Sequence, residues 1–166
     1  TGNYVIDNDS GEAKIVINIK GGELVGNGTN ADKGVVGLFA KNGSELNISG
    51  GKITQKKTDS WALKIPTDAE RTVNITGGEL TANWGTITLY ANDKNIPDTI
   101  YTRVNVSGNA IVNADADSAI QFCGYARNAE LNISGNALVK APTKTLYVWS
   151  KNASGSENRV TRNSVI

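Results

Sequence analysis

The chain has 166 residues, with 17 Lys and Arg against 16 Asp and Glu, for a formal net charge of +1. So even a balance supplies no field for nucleic acid or an anionic membrane surface, and no nucleic-acid partner is expected. Histidine is absent and cysteine occurs once, which excludes imidazole bases, Ser–His and Cys–His nucleophile pairs, internal disulfides and cysteine-based metal clusters. No apolar run approaches the ~20 residues of a membrane-spanning helix, so no membrane insertion is expected. The chain starts at Thr1 with no signal-peptide pattern and no Met. It is expected to be one domain, 1–166, cut or matured from a longer secreted or surface protein.

Taken in chain order, Tyr4-Val5-Ile6 opens a partial first coil. Ile17-Asn18-Ile19-Lys20-Gly21-Gly22-Glu23-Leu24 then begins a repeat. It returns as Leu46-Asn47-Ile48-Ser49-Gly50-Gly51-Lys52-Ile53 and as Val73-Asn74-Ile75-Thr76-Gly77-Gly78-Glu79-Leu80. Two later copies carry Gly-Asn at the bend: Val104-Asn105-Val106-Ser107-Gly108-Asn109-Ala110-Ile111 and Leu131-Asn132-Ile133-Ser134-Gly135-Asn136-Ala137-Leu138. From Asn to Asn the period is 27–31 residues, within the range of solenoid repeats.

Alternation puts the residues flanking each Asn on one face and the Asn on the other. Gly-Gly or Gly-Asn accepts a left-handed backbone and marks a bend. A short strand follows with one inward aliphatic, read as Leu24, Ile53, Leu80, Ile111 and Leu138. After a variable polar loop comes a third strand with inward pairs Val36/Leu38, Leu63/Ile65, Ile87/Leu89, Ile120/Phe122 and Leu146/Val148. Arg159-Val160-Thr161 fits the start of a sixth copy.

The same residue types at the same positions in every repeat are what stacking each strand on its own counterpart requires. An antiparallel sandwich needs no such ordered recurrence. The predicted fold is an all-β parallel solenoid of about five coils with three short strands each, roughly 24 Å tall at the usual strand spacing. No helix that could cap either end is visible. Uncapped ends expose strand edges, so a longer chain or a head-to-tail self-association is expected.

The [Leu/Val]-Asn-[Ile/Val]-[Ser/Thr]-Gly-[Gly/Asn]-x-[Ile/Leu] repeat resembles the right-handed parallel β-helix proteins of the pectin-lyase-like superfamily. It is most similar to repeat-bearing bacterial surface proteins and autotransporter-type passenger domains. The resemblance covers about Ile15 to Val160 and implies a right-handed coil, together with a secreted or bacterial cell-surface location. It does not single out an activity, since that superfamily holds lyases, hydrolases, adhesins and phage tail parts.

Three sets of residues are candidates for function. Phe39, Tyr90 and Trp149 occupy one outward position of the third strand, with Tyr147 beside them and Trp61 and Trp84 at the start of the same segment. Flat rings with polar edges suit a sugar or a protein partner; folded-over loops would instead make them a satellite core. Asp59, Asp115 and Asp117 lie in loops of like register, Asp59 and Asp117 about 10 Å apart, near the upper limit for an inverting carboxylate pair. Turn-forming, solvated acids are the plain alternative. Asn47, Asn74, Asn105 and Asn132 form an outward column beside Ser49, Thr76, Ser107 and Ser134, which is an amide ladder that stabilises the stack. The Asn-x-Ser/Thr sequons it writes are a by-product of that ladder. Cys123 points outward as an ordinary half-buried cysteine.

These readings lead to a non-catalytic module for adhesion or carbohydrate contact on a bacterial surface protein. Its partner would be a polysaccharide or host-surface glycan, and its ligand-binding residues Phe39, Tyr90, Tyr147 and Trp149. No catalytic residue, metal ligand or cofactor is assigned, with calcium at Asp115 and Asp117 left open. The alternatives are a polysaccharide lyase or hydrolase acting on acidic glycans through Asp59, Asp115 and Asp117, and a structural spacer or filament subunit.

Overall fold

The computed structural model describes residues 4–8, 11–27, 31, 33–92, 96–97, 99–124, 126 and 128–148. Their strands fall into three sheets, and every strand pairing is parallel. The six-stranded sheet runs β1 (Ile6–Asp7), β4 (Gly34–Gly37), β7 (Trp61–Pro66), β10 (Gly85–Ala91), β13 (Ser118–Gly124) and β16 (Lys144–Val148). A second sheet stacks β2 (Val16–Ile19), β5 (Ser44–Ile48), β8 (Arg71–Ile75), β11 (Thr102–Val106) and β14 (Ala129–Ile133). The third stacks β3 (Glu23–Gly26), β6 (Lys52–Gln55), β9 (Glu79–Ala82), β12 (Ile111–Ala114) and β15 (Leu138–Lys140). The chain visits the second, third and six-stranded sheets in turn, five times over, so the fold is a parallel β-solenoid of about five coils with no helix among the described residues. β1 is the expected partial coil, pairing Ile6 with Val36.

Register places like on like. Leu46, Val73, Val104 and Leu131 form one inward column, and Ile48, Ile75 and Val106 another. Leu63, Ile87 and Ile120, with Ile65, Leu89 and Phe122, supply two more from the six-stranded sheet. These side chains are buried and form a single core. Each removes apolar surface from water worth about 1.5–3 kcal/mol, a gain available only because the neighbouring coils close over it. At the last described coil the columns run out to Ile133 and Val148, 48% and 42% exposed.

The short third sheet departs from the expected alternation. Leu80 pairs with Val112, and Val112 with Val139. Val112 is therefore the inward residue, while Ile111 is half-buried and Leu138 is 47% exposed. The cause lies in the bend. In Gly-Gly coils the second glycine takes the left-handed conformation (φ 82° at Gly22, 89° at Gly51, 82° at Gly78). In Gly-Asn coils the first does (φ 61° at Gly108, 66° at Gly135), and Ala110 N–H and Ala137 N–H close tight turns onto the Ser107 and Ser134 carbonyls. That turn uses one more residue, and one extra residue inverts the facing of everything after it.

The amide ladder is present and directional. Asn47, Asn74, Asn105 and Asn132 each donate from Nδ2 to the Oδ1 of the Asn one coil earlier, at 3.1, 2.8, 2.8 and 2.9 Å, the first of these acceptors being Asn18. Where the third strand returns to the second sheet, an inward polar column ties down the loop carbonyls. Ser44 Oγ donates to Lys41 O, and Thr102 Oγ1 to Ala69 O. Between them Arg71, 2% exposed, donates to the Phe39, Ala40 and Pro66 carbonyls and pairs with Asp68 at 2.7 Å. Buried carbonyls at a corner need such donors, and a guanidinium supplies several at once.

Alanine at Gly22 meets nothing within 4 Å, whereas at Gly78 its Cβ would sit 2.7 Å from the Gly51 carbonyl oxygen. Urea unfolding is expected to cost about 1 kcal/mol for Gly22→Ala and about 2–4 kcal/mol for Gly78→Ala; equal costs would contradict the close backbone stacking. Glu130 accepts from Asn132 Nδ2 and Arg103 Nε. The Asn132 amide, opposed by partial burial and aided by Arg103, holds its carboxyl below the usual value. Its contribution to stability is thus present above the ordinary carboxylate range and lost as pH falls through the lower folded value. The stability gap between wild type and Glu130→Gln should narrow from neutral pH to about pH 2.

Candidate functional site

The outer side of the six-stranded sheet carries the side chains that set this face apart. Gly34, Trp61, Gly85, Ser118 and Lys144 form its first column by register. Gly37, Lys64, Thr88, Gln121 and Tyr147 form the second. In the third, Tyr90 lies between Pro66 and Cys123, with Phe39 at the head of the column just beyond β4. The outer faces of the other two sheets carry no aromatic residue among the described strands; they present Asn, Thr, Glu, Arg and Lys with a few aliphatics.

Side chains here reach across strands. Trp61 Nε1–H donates to Gln121 Oε1 at 2.8 Å, spanning the intervening strand β10. Gln121 Nε2 donates to Ser118 Oγ at 2.6 Å. The span is open because β10 has Gly85 there: a Cβ would lie 2.6 Å from Gln121 Nε2 and 2.8 Å from Trp61 Cδ1. The Lys64 ammonium sits 5.0 Å from the Trp61 ring and 4.8 Å from the Tyr90 ring. An ammonium held between two rings and withdrawn from water gains about 1–2 kcal/mol from their faces. Trp61, Lys64, Thr88, Ser118 and Gln121 are all buried although they point away from the core. This is a lateral cluster of its own, built on an outward face.

Around that cluster the rings are more open. Trp84 stacks on Trp61 at 5.3 Å, tilted 39°, and is 38% exposed. Tyr90 is half-buried. Tyr147 is also half-buried, with the Lys144 ammonium 4.4 Å from its ring. Phe39 folds back over Gly37 and meets Tyr4 edge-on at 5.2 Å. Of the expected ligand-binding set, Phe39 and Tyr90 therefore share a column, separated by Pro66, and Tyr147 stands in the column beside them. Trp149 lies outside the described residues, as does Arg159-Val160-Thr161.

The acids do not converge. Asp117 is bound by Lys144 at 2.9 Å and by Ser118 Oγ at 3.2 Å. Asp115 accepts from Asn113 Nδ2 at 2.7 Å. Asp59 stands exposed two coils away. Among the described residues, no three of His, Cys, Asp and Glu gather as a metal site would require. Cys123 is half-buried, with contacts to Thr88 Oγ1 at 3.6 Å and Gln121 Oε1 at 3.7 Å.

Lys64 and Gln121 were within reach of sequence reasoning: both occupy outward slots of strands whose inward slots are aliphatic. Their meeting with Trp61 was not, because it depends on a glycine in the strand between. The chain matches no family model, no curated protein and no solved structure.

The crossing over Gly85 can be tested directly. Gly85→Ala should cost about 1–3 kcal/mol by displacing either the indole or the carboxamide. The Trp61 indole N–H resonance should lose its hydrogen-bonded shift in the same variant. An unchanged resonance and an unchanged urea midpoint would contradict the crossing.

Proposed function

We propose that this chain is a non-catalytic β-solenoid module that contacts carbohydrate through the outer side of its six-stranded sheet. It would serve adhesion or glycan contact within a secreted or bacterial surface protein. The observation that carries this is the segregation of aromatic residues. Tyr4, Phe39, Trp61, Trp84, Tyr90 and Tyr147 gather on or beside one of three outer faces, whereas the other two carry no ring on their described strands and have Tyr101 beside one of them, under the Arg103 guanidinium. Packing alone does not call for that asymmetry, since all three sheets already bury their inward sides. Ring faces edged with polar groups suit the apolar C–H faces and hydroxyls of a pyranose. Phe39, Tyr90, Tyr147 and Trp149 are the proposed contacts, and the Trp61–Lys64–Gln121 cluster stiffens the sheet beside Tyr90 and Tyr147.

Two further observations support contact over turnover. The loop acids are separate, and two of the three are already hydrogen-bonded to neighbours. The chain also has no histidine to serve as a base. The repeat pattern supports placing the module with right-handed β-helix surface proteins of the pectin-lyase-like kind.

A glycan array probed with the isolated chain, with calcium and with chelator, tests the proposal. Binding to a defined polysaccharide without cleavage is expected, weakened about tenfold or more when Tyr90→Ala and Tyr147→Ala are combined. Release of reducing ends or unsaturated products from polygalacturonate would sink the non-catalytic reading. Binding unaffected by the double variant would sink the assignment of the face.

A further inference from the structure

The corners joining the third sheet to the six-stranded sheet differ in length from coil to coil. They span 27–33, 56–60, 83–84, 115–117 and 141–143, which is seven, five, two, three and three residues. Two long corners are thus followed by the shortest one. Consecutive coils stack at about 4.8 Å, so the drop from five residues to two makes a step in the corner ridge. Trp84 stands at the foot of that step, on the two-residue corner.

Among the described residues this tryptophan is the most open ring on that side of the molecule. Trp84 is 38% exposed, whereas Trp61 behind it is 6% exposed. It is also held in place. Trp61 backs it at 5.3 Å and is itself fixed by Gln121 and by the Lys64 ammonium. Trp84 O accepts from Ser118 N at 2.9 Å, and Asn83 O from Ala116 N at 2.8 Å, which tie the corner to the coil above. An exposed ring fixed before binding loses little freedom when a ligand stacks on it.

The residues beside it are polar and carry charges of both signs. Lys56, Thr58 and Asp59 are exposed and Lys57 half-buried on the longer corner below, and Asp115 is exposed on the corner above. Lys64 lies between two rings and Lys144 on Asp117 and Tyr147, and the remaining charges of the two corners, Lys56 and Lys57 against Asp59 and Asp115, balance. Hydroxyls find both donors and acceptors here, whereas a carboxylate or sulfate meets no net opposite charge.

We propose that Trp84, at the step between the second and third coils, is the principal sugar-stacking position. We further propose that it takes a neutral hexopyranose chain in preference to an acidic one. This rests on the carbohydrate-contact function proposed above and names its ligand class and central residue. Trp84 is the floor, and Thr58, Asp59, Asn83 and Asp115 offer the polar rim.

The test titrates the full chain with cellohexaose, chitohexaose, mannohexaose and hexagalacturonate while following the indole N–H resonances. The expected result is that at least one neutral hexasaccharide shifts the Trp84 signal more than that of buried Trp61. Trp84→Leu, which keeps an apolar cover over Trp61 but removes the flat ring, should weaken that binding about tenfold. Asp59→Ala, at an exposed position outside the core, should weaken it about threefold without altering the fold. Tightest binding by hexagalacturonate would overturn the ligand class. Binding intact in Trp84→Leu but lost in the Tyr90→Ala/Tyr147→Ala double variant would overturn the site while leaving carbohydrate contact standing. No binding of any hexasaccharide would overturn both.

Discussion

Register between coils is the constraint on which the rest of this molecule depends. Each strand takes its backbone partners from the same strand one coil earlier and one coil later. A slip of one residue would therefore turn an entire aliphatic column toward solvent. The Asn column resists that slip from outside: every amide donates in the same direction to its predecessor, so a shifted coil would lose bonds both above and below. From inside, the Leu, Ile and Val columns resist it through burial. Neither element is strong alone, since a single side-chain hydrogen bond contributes only about 1 kcal/mol net. Their agreement at every level is what makes the stack a single structure.

Corners are where this regularity is suspended, and two different solutions coexist. At the return to the second sheet the corner is closed from inside, with Arg71, Ser44 and Thr102 donating to loop carbonyls that would otherwise be buried without partners. At the entry to the six-stranded sheet the corner lengths vary between two and seven residues. The strands on either side remain in register regardless. Variation is tolerated there because the strands are held by their axial neighbours, and the loop itself adds only a slowly growing closure entropy.

This division explains what could be read from the sequence. The coil number, the three-strand plan, the inward pairs of the third strand and the amide ladder were all legible, because stacking forces the same residue types into the same places. Ile111 and Leu138 misled because both bend types begin with glycine. Only the backbone shows that Gly108 and Gly135 are left-handed where Gly51 and Gly78 are, one place later, and that the turn is one residue longer. Alternation puts Tyr90 and Tyr147 on the outward face of the six-stranded sheet, where they stand, whereas Phe39 falls just beyond β4 and folds back over Gly37. Alternation could not show Trp61 reaching Gln121 two strands away, since that contact depends on the missing side chain of Gly85. In the sequence Trp84 is only a neighbour of the strand start, because its exposure follows from the brevity of its own corner beside a longer one.

The same division bears on where recognition can reside. On the outer face of the second sheet the Asn column is the same at every coil, and the column beside it reads Val, Glu, Thr, Arg, Glu, with no ring in either. The outer side of the six-stranded sheet does not repeat: its first column alone reads Gly, Trp, Gly, Ser, Lys. Those differences are permitted because that column does not enter the core, and they are rigid because the strands beneath it do. A site needs both conditions, side chains free to vary and a support that does not move. Trp84 meets them most fully, standing on a corner whose length is unconstrained and leaning on an indole that is fixed from two sides.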